Sequence, residues 1–196
     1  DMILHVYEAA KKSDAGEVYV ATPDKKIIDK VKSSGGNAIM TGENHQTGTD
    51  RVFEVFKKTL NESPKIIVNL QGDMPNIKPE FIKHLVDYMW QEKCEIGTLA
   101  STLLEDEVYE QNVVKVFTKE KINKLAFANV SDFDRNITTG HDDFPHHHIG
   151  IYGFTKEALS KYINLKRSKL ELDRNLEQMR ALENKMKIHV GFVENC

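Results

Sequence analysis

The side chains best placed to do chemistry in this chain follow a short, largely apolar run, Ile66–Leu70. That run is typical of a buried parallel strand, and Gln71, Gly72 and Asp73 come directly after it. In open α/β sheets, ligands bind just beyond the carboxyl ends of the strands, so Gln71 and Asp73 are candidate site residues. The Asp73 carboxylate suits a hard divalent cation. The alternative is a surface turn in which Asp73 only caps the next helix.

Polar residues also mark two other places where the chain leads into a helix. Thr22 and Asp24 follow a predicted strand, and they form either part of a site or a turn with a helix N-cap. Thr49, Asp50 and Arg51 begin another predicted helix. The first N–H groups of that helix, its positive dipole end and the Arg51 guanidinium suit an anion or the edge of a base. Capping of this helix by Thr49 or Asp50 is the alternative.

His148, Gly150 and Tyr152 share one face of a predicted strand, because alternate residues of a strand point the same way. Two polar rings on either side of a glycine predict a recess for a polyhydroxylated ligand. The alternative is an edge strand with a solvated face. The same alternation argues against a metal site in the histidine tract 146–148, since neighbouring side chains point in opposite directions.

Glu177 and Gln178 lie in the first turn of a predicted helix over residues 176–184. Polar side chains in that position face whatever lies in front of the helix, and the N–H groups there are free to bind it. Asn175 and Gln178 also fit a capping box, which would explain the same residues by helix stability alone. The sequence leaves both interpretations open.

The elements that must position these residues alternate between helix and strand over the first two-thirds of the chain. This rhythm predicts an α/β fold with a mostly parallel, doubly wound sheet and helices on both faces. Beyond residue 96 strands dominate, so a small mixed or antiparallel extension is expected over residues 96–154, with an exposed loop at 130–145. Predicted helices cover residues 2–12, 25–34, 50–60, 79–89, 155–163 and 176–184, and predicted strands cover 17–22, 37–41, 66–71, 96–102, 113–117, 124–128, 148–154 and 187–192.

The composition is that of a globular protein, with 40% hydrophobic and 29% charged residues among 196, which predicts a single domain over 1–196. The formal net charge of -3 argues against nucleic acid as the main partner. No apolar stretch approaches the roughly 20 residues of a membrane span, so no membrane insertion is expected. Cys94 and Cys196 fit neither zinc nor disulfide spacing, which predicts a cytoplasmic location. The sequence contains neither the glycine-rich dinucleotide fingerprint nor a P-loop.

Taken together, these segments resemble the 3-deoxy-manno-octulosonate (Kdo) cytidylyltransferases, also called CMP-Kdo synthetases. Their order and spacing match that family over most of the chain, apart from residues 127–145. The matching segments are VATPD at Val20–Asp24, TGTDR at Thr47–Arg51, VNLQGDMP at Val68–Pro75, NVVKV at Asn112–Val116, HHIGIYGF at His147–Phe154 and LEQMRALEN at Leu176–Asn184.

The resemblance implies a nucleotide-diphospho-sugar transferase fold of the glycosyltransferase-A-like type. In such an enzyme, residues 96–154 would contribute to sugar binding and to a homodimer. It also implies transfer of CMP from CTP to Kdo for lipopolysaccharide biosynthesis, with release of pyrophosphate and with Mg²⁺ as cofactor. By that likeness Asp73 would hold Mg²⁺ and act in catalysis with Gln71, which would lie between nucleotide and sugar. The nucleotide would be bound by Thr22, Asp24, Thr49, Asp50, Arg51 and Gln71, and the sugar acid by His148, Tyr152, Glu177 and Gln178.

The sequence departs from the family pattern in three places. The family's basic N-terminal loop and its second metal carboxylate have no counterpart here, so we expect the encoded protein to extend beyond both Asp1 and Cys196. Asn129 stands where the family has an arginine for the sugar carboxylate, unless Arg135 takes that role. Two alternatives therefore stay open. One is a cytidylyltransferase for another 2-keto sugar acid, such as 8-amino-Kdo or an acylneuraminate, and the other is a non-catalytic nucleotide-binding protein of the same fold.

Overall fold

The computed structural model describes residues 2–59, 64–123, 127–137 and 143–194. Its helices are α1 (Met2–Lys12), α2 (Lys25–Ser33), α3 (Gly48–Lys58), α4 (Pro79–Glu92), α5 (Lys156–Ile163), α6 (Lys169–Arg174) and α7 (Met179–Glu183). Its strands are β1 (Val20–Thr22), β2 (Ala38–Met40), β3 (Ile66–Leu70), β4 (Ile96–Ser101), β5 (Lys115–Thr118), β6 (Phe127–Asp134), β7 (Phe144–Thr155) and β8 (Ile188–Phe192). Over these residues, no helix is long and apolar enough to cross a membrane.

Six strands form the main sheet in the order β3-β7-β4-β8-β6-β5, and β1 and β2 pair as a separate parallel ribbon. The prediction of a mostly parallel sheet is wrong. Among the described strands of the main sheet, β4 and β8 are the parallel pair and the other pairs are antiparallel. β7 runs antiparallel between β3 and β4, which consequently share one direction. The order strand, helix, strand from β3 through α4 to β4 indicates that β3 and β4 run in the same direction. It does not indicate whether the two strands are neighbours in the sheet, so it could not reveal that β7 lies between them.

Helices cover both faces of the main sheet. On one face, α3, α5 and α7 pack through a hydrophobic core that includes Phe56, Leu159 and Met179. On the other face, α1 and α4 pack through a second core that includes Ala9 and Leu85. The sheet is therefore the middle layer of three, with one core on each side.

The helix α4 approaches the sheet closely at a pair of glycines. Gly97 of β4 and Gly153 of β7 are directly opposite each other in register. A Cβ on Gly97 would lie 2.8 Å from Leu85 Cδ1, and one on Gly153 would collide with Met89 Sδ. Because neither glycine has a side chain, Leu85 and Met89 can lie directly on the sheet. This close packing holds α4 against β4 and β7, and β7 is the strand that pairs with β3.

Residues 130–145 do not form the exposed loop that the sequence predicts. Residues 130–134 belong to β6 and residues 144–145 to β7, whereas 138–142 lie outside the described residues. The polar character that suggests a loop comes from Asp132 and Asp134, which pair with Arg174 at 2.6 and 3.2 Å. Between these aspartates Phe133 is fully buried, so the segment is a strand with one charged, paired face.

Other elements differ in extent from the prediction. The strand predicted over 124–128 overlaps β6 at 127–128, and residues 124–126 lie outside the described residues. The helix predicted over 176–184 is the shorter α7, and α6 has no counterpart in the prediction. A capping box formed by Ser168 and Glu171 starts α6, with a leucine-containing sequence too short to show a helical period.

Candidate active site

The carboxyl ends of β1, β2 and β3 meet at the first turn of α3. The carbonyl of Thr22, at the end of β1, accepts from the N–H of Thr41 at 3.1 Å. Arg51 Nη1 donates to Thr41 Oγ1 at 2.5 Å, and Asn69 Nδ2 of β3 donates to Thr49 Oγ1 at 3.2 Å. The N-terminus of α3 therefore joins the three strand ends, and its N–H groups and positive dipole end suit an anion there.

Thr22 and Asp24 take part in the local structure that the alternative interpretation describes. Thr22 Oγ1 accepts from the N–H of Asp24 at 3.1 Å, and Asp24 Oδ1 caps α2 by accepting from Lys26 N at 2.7 Å. The two residues still lie at the strand end that adjoins α3, with Thr22 buried and Asp24 exposed. Capping and a place beside the site are therefore compatible.

Thr47 caps α3, so the interpretation of Thr49 or Asp50 as its cap is wrong. The Thr47 side chain accepts from the N–H of Asp50 at 3.2 Å. This leaves Thr49, which is buried, to accept the hydrogen bond from Asn69. Arg51 also donates to the Gly42 carbonyl at 3.0 Å, so its guanidinium holds the loop that precedes α3.

Gln71 and Asp73 are exposed immediately after β3. A Cβ on Gly150 would lie 3.4 Å from the side-chain carbonyl of Gln71, so the glycine makes room for this amide beside β7. Lys78 is the N-cap of α4, with no side-chain capping bond, so Asp73 does not cap that helix. Within the described residues, no group of three His, Cys, Asp or Glu side chains could hold a metal ion by itself.

A bulge in β7 brings His148 and Tyr152 together. The register against β4 passes from Thr98–Tyr152 to Leu99–Ile149, which leaves two extra residues in β7. The two rings consequently lie 5.3 Å apart, whereas residues four apart in a regular strand are separated by about 13 Å. The prediction of a recess between the rings is wrong, because they contact each other and both side chains are buried.

His148 is held as a neutral ring. Thr98 Oγ1 donates its one proton to the Ile151 carbonyl at 2.7 Å, so it accepts from His148 Nε2, 3.0 Å away. Burial lowers the pKa of His148 to about 3, with a smaller contribution from His147. Phe133 packs edge-on against the imidazole at 5.1 Å. His148 therefore serves as a fixed neutral wall for Tyr152.

Tyr152 and Glu177 face a small cavity of about 10 Å³, room for roughly one water, which Thr49, Tyr162 and Gln178 also line. Within the described parts of the chain, Tyr152 Oη and Glu177 Oε2 are buried without a hydrogen-bond partner. Burial, followed by the charge of Glu177, raises the pKa of the Tyr152 hydroxyl well above its ordinary value. One buried donor and one buried acceptor are therefore available to a ligand hydroxyl.

The capping box predicted for Asn175 and Gln178 is wrong. Asn175 ends α6 in the left-handed conformation, with φ 52°, and Gln178 precedes α7 without a side-chain capping bond. Helix stability therefore does not account for Glu177 and Gln178. Glu177 Oε1 and Asn69 Nδ2 each lie 3.8 Å from the position of a Cβ on Gly48, so this turn adjoins both β3 and the start of α3.

Asn129 is exposed on β6, opposite His189 of β8. Arg135 donates from Nη1 to the carbonyl of Arg174 at 2.7 Å, at the end of α6. The Arg135 guanidinium is thus bonded to the C-terminus of α6.

Two buried residues of the site escape the sequence analysis. Asn69 is 5% exposed and links β3 to Thr49; an amide inside an otherwise apolar strand is the signal that could have revealed it. Arg180 is 3% exposed and pairs with Glu171, and no local pattern distinguishes it from a surface arginine on a short helix.

Comparison with known proteins gives a consistent result along the chain. A family model described as Cytidylyltransferase matches residues 1–188. The chain is 43% identical over 204 residues to the 3-deoxy-manno-octulosonate cytidylyltransferase of Thermodesulfovibrio yellowstonii, covering 98% of this chain and 80% of that protein. It is 37% identical over 201 residues to the protein of the same name from Rhodopseudomonas palustris strain CGA009, covering 98% and 79%.

Solved structures agree with the sequence relatives. The structure of a CMP:2-keto-3-deoxy-manno-octonic acid synthetase complexed with CTP is similar, with a TM-score of 0.85 and 32% identity over 99% of this chain and 79% of that chain. An apo UDP-glucose pyrophosphorylase shares the fold, with a TM-score of 0.67 at 11% identity over 98% and 79%. The mixed α/β architecture is thus a nucleotidyltransferase fold, and the chain belongs to the family of 3-deoxy-manno-octulosonate cytidylyltransferases.

Proposed function

We propose that this protein transfers CMP from CTP to Kdo, giving CMP-Kdo and pyrophosphate. The observation that carries the proposal is the likeness, over nearly the whole chain, to a synthetase solved with CTP and to curated relatives named for this reaction. In the reaction, the anomeric hydroxyl of Kdo attacks the α-phosphorus of CTP, and the bond to pyrophosphate breaks. The product supplies lipopolysaccharide biosynthesis.

The chain contributes mainly by positioning the reactants and excluding water. The first turn of α3, with Thr49 and Arg51 beside it, would lie against the nucleotide, together with Thr22 and Asp24. Gln71, exposed between β3 and β7, would lie between the two substrates.

Tyr152 and Glu177 are suited to the sugar acid because their buried polar atoms lack protein partners among the described residues. A hydroxyl can donate to Glu177 Oε2 and accept from Tyr152 Oη at the same time. The cavity of about 10 Å³ takes a single hydroxyl and not the whole sugar. The rest of the sugar would lie towards Gln71, with Gln178 and His148 completing the wall.

Mg²⁺ is the cofactor that fits this donor set. Mg²⁺ usually keeps several waters and is bound by one or two carboxylates together with substrate phosphates. Asp73, an exposed carboxylate beside Gln71 at the end of β3, is suited to that part, and the triphosphate would supply further oxygens. When bound, the ion would neutralise the charge that develops on the phosphates.

We also propose a homodimer, located in the cytoplasm where CTP is available. Tyr109 is 87% exposed, and Leu104 and Phe144 are 45% and 44% exposed. The first two flank the 3-10 turn at Glu105–Glu107, and Phe144 begins β7. Exposed large apolar side chains are typical of an interaction surface, which fits a second copy of this chain.

The decisive experiment supplies the full-length protein with CTP, Mg²⁺ and Kdo and measures pyrophosphate release, with CMP-Kdo identified by mass. The relatives named above favour Kdo over the alternatives, so 8-amino-Kdo and N-acetylneuraminate should turn over more slowly. Faster turnover with either acid, or CTP binding without pyrophosphate release, would contradict the proposal.

A further inference from the structure

The turn that carries Glu177 and Gln178 joins α6 to α7. Its backbone is closed by short-range bonds, from Met179 N to the Leu176 carbonyl at 3.1 Å and from Arg180 N to the Glu177 carbonyl at 3.2 Å. Bonds of this kind define a turn but do not orient it relative to the sheet. The orientation that points Glu177 at Tyr152 must therefore come from surrounding side chains.

The side chain of Arg180 contacts residues of three different helices. Nε and Nη2 form a bidentate pair with Glu171 of α6 at 2.8 and 2.6 Å. The guanidinium lies 4.7 Å above the ring of Tyr162 of α5. Nη1 is 3.9 Å from Asp50 Oδ1 in the first turn of α3. With only 3% of the residue exposed, water screens these contacts little.

Tyr162 connects this arrangement to the site. Its hydroxyl donates to the Glu177 carbonyl at 2.9 Å, while its ring lies under the guanidinium. The same side chain therefore supports Arg180 and holds the backbone of the turn. Glu171, which is fully buried, completes the arrangement by accepting from Arg180, from Arg167 Nε at 3.0 Å and from Ser168 N at 3.1 Å.

We propose that Arg180 is a positioning residue for the sugar-acid site, which orients the Glu177 turn by fastening it to α3, α5 and α6. This inference rests on the proposed function for its meaning in catalysis, although the orienting role concerns the free protein. Arg180 is remote from bulk solvent and already paired with Glu171, so it acts through Glu177 and does not bind substrate.

Arg180→Lys is the sharpest variant, because lysine keeps the positive charge but loses the planar fork and the stacking. Arg167→Lys is the matched control: Arg167 donates to the same Glu171 carboxylate but lies on the exposed side of it, at 35% side-chain exposure. We expect Arg180→Lys to raise KM for Kdo about tenfold, as for a lost charged hydrogen bond, with KM for CTP changed far less. Arg167→Lys should leave both KM values near those of the wild type.

Hydrogen exchange of peptides that cover residues 175–181 gives a readout independent of turnover. Exchange should quicken in Arg180→Lys and not in Arg167→Lys. Tyr162→Phe loses the hydrogen bond to Glu177 but keeps the ring, so its exchange should also quicken, by a smaller amount. This variant tests the inference if Arg180→Lys does not fold.

Two results would overturn the inference: unchanged KM for Kdo with unchanged exchange, or equal increases in both KM values. A wild-type protein without turnover would instead refute the proposed function, and the exchange experiment would still decide the role of Arg180.

Discussion

At the scale of single residues, Asp73 gives the most direct prediction. Asp73→Asn keeps the shape of the side chain and removes its charge. We expect kcat of the full-length protein to fall at least ~100-fold, equivalent to ~3 kcal/mol of transition-state stabilisation. The melting temperature should stay the same, because Asp73 is exposed and does not cap α4. Asp14→Asn, which changes an exposed carboxylate two residues beyond the end of α1, is the control. An active Asp73→Asn variant would place the metal elsewhere, and an unfolded one would make Asp73 structural.

Tyr152→Phe has opposite effects on binding and stability. Its hydroxyl is buried without a partner among the described residues, so its loss should leave the melting temperature unchanged or slightly higher. Kdo should bind more weakly by ~1 kcal/mol, with little effect on CTP. Tyr162→Phe is the contrasting variant, because its hydroxyl bonds the Glu177 carbonyl and its loss should lower stability by ~1 kcal/mol. Equal weakening of both substrates by Tyr152→Phe would argue against its place in the sugar site.

Residue type and position in the sequence indicated many residues of the candidate site, but not the contacts that their side chains make with one another. Gln71 and Asp73 could be chosen because polar residues directly follow an apolar strand, and the structure leaves both exposed there. Arg180 could not be chosen, because its burial depends on Tyr162 and Glu171 arriving from two other helices. The sequence around Arg180 does not indicate contacts with residues of other helices. Asn69 is an intermediate case. A buried amide needs a hydrogen-bond partner, but the sequence does not show which residue that partner is.

At the scale of elements, β7 should make the stability of the fold sensitive to acid. Burial lowers the pKa of His146 to about 4 and that of His148 to about 3, below the ordinary value near 6.5. The unfolded chain therefore binds protons that the folded chain excludes, so stability should fall as pH drops below about 6.5. Each histidine contributes at most about 1.4 kcal/mol per pH unit.

Urea unfolding between about pH 6.5 and pH 4.5 tests this expectation. His148→Gln should make the pH slope shallower, because glutamine can still donate to Thr98 but does not titrate. An identical slope in His148→Gln and the wild type would contradict the assignment.

Helices were predicted more closely than strand partners, for a physical reason. The period of apolar residues identifies α1, whose observed range Met2–Lys12 agrees with the prediction. Strand pairing depends on which distant segment arrives alongside, as β7 does between β3 and β4. In β6 the alternation is masked by Asp132 and Asp134, whose charges are balanced by Arg174 from α6.

At the scale of the whole molecule, the exposed apolar residues around the 3-10 turn predict self-association. Tyr109→Glu should convert a dimer into monomers, because it places a charge in an apolar contact. Trp90→Glu is the control, since Trp90 is 55% exposed on α4, outside that surface. Sedimentation equilibrium distinguishes the two states. A wild-type monomer, or a dimer that Trp90→Glu disrupts and Tyr109→Glu does not, would refute this interface.

The position of β7 in the sheet has a consequence for synthesis of the protein. Among the described strands, β3 lies at the end of the main sheet and bonds to β7, with Ile66 opposite Thr155 and Leu70 opposite Ile151. On the ribosome the pairing of β3 with β7 must therefore wait for about 80 further residues, or roughly 4–16 s at 5–20 residues per second. During that interval the N–H and C=O groups of β3 that will bond to β7 are unpaired, and strands of other nascent chains can pair with them. Slowing translation between β3 and β7 should thus lower the soluble yield of the protein, whereas slowing it after β8 should not.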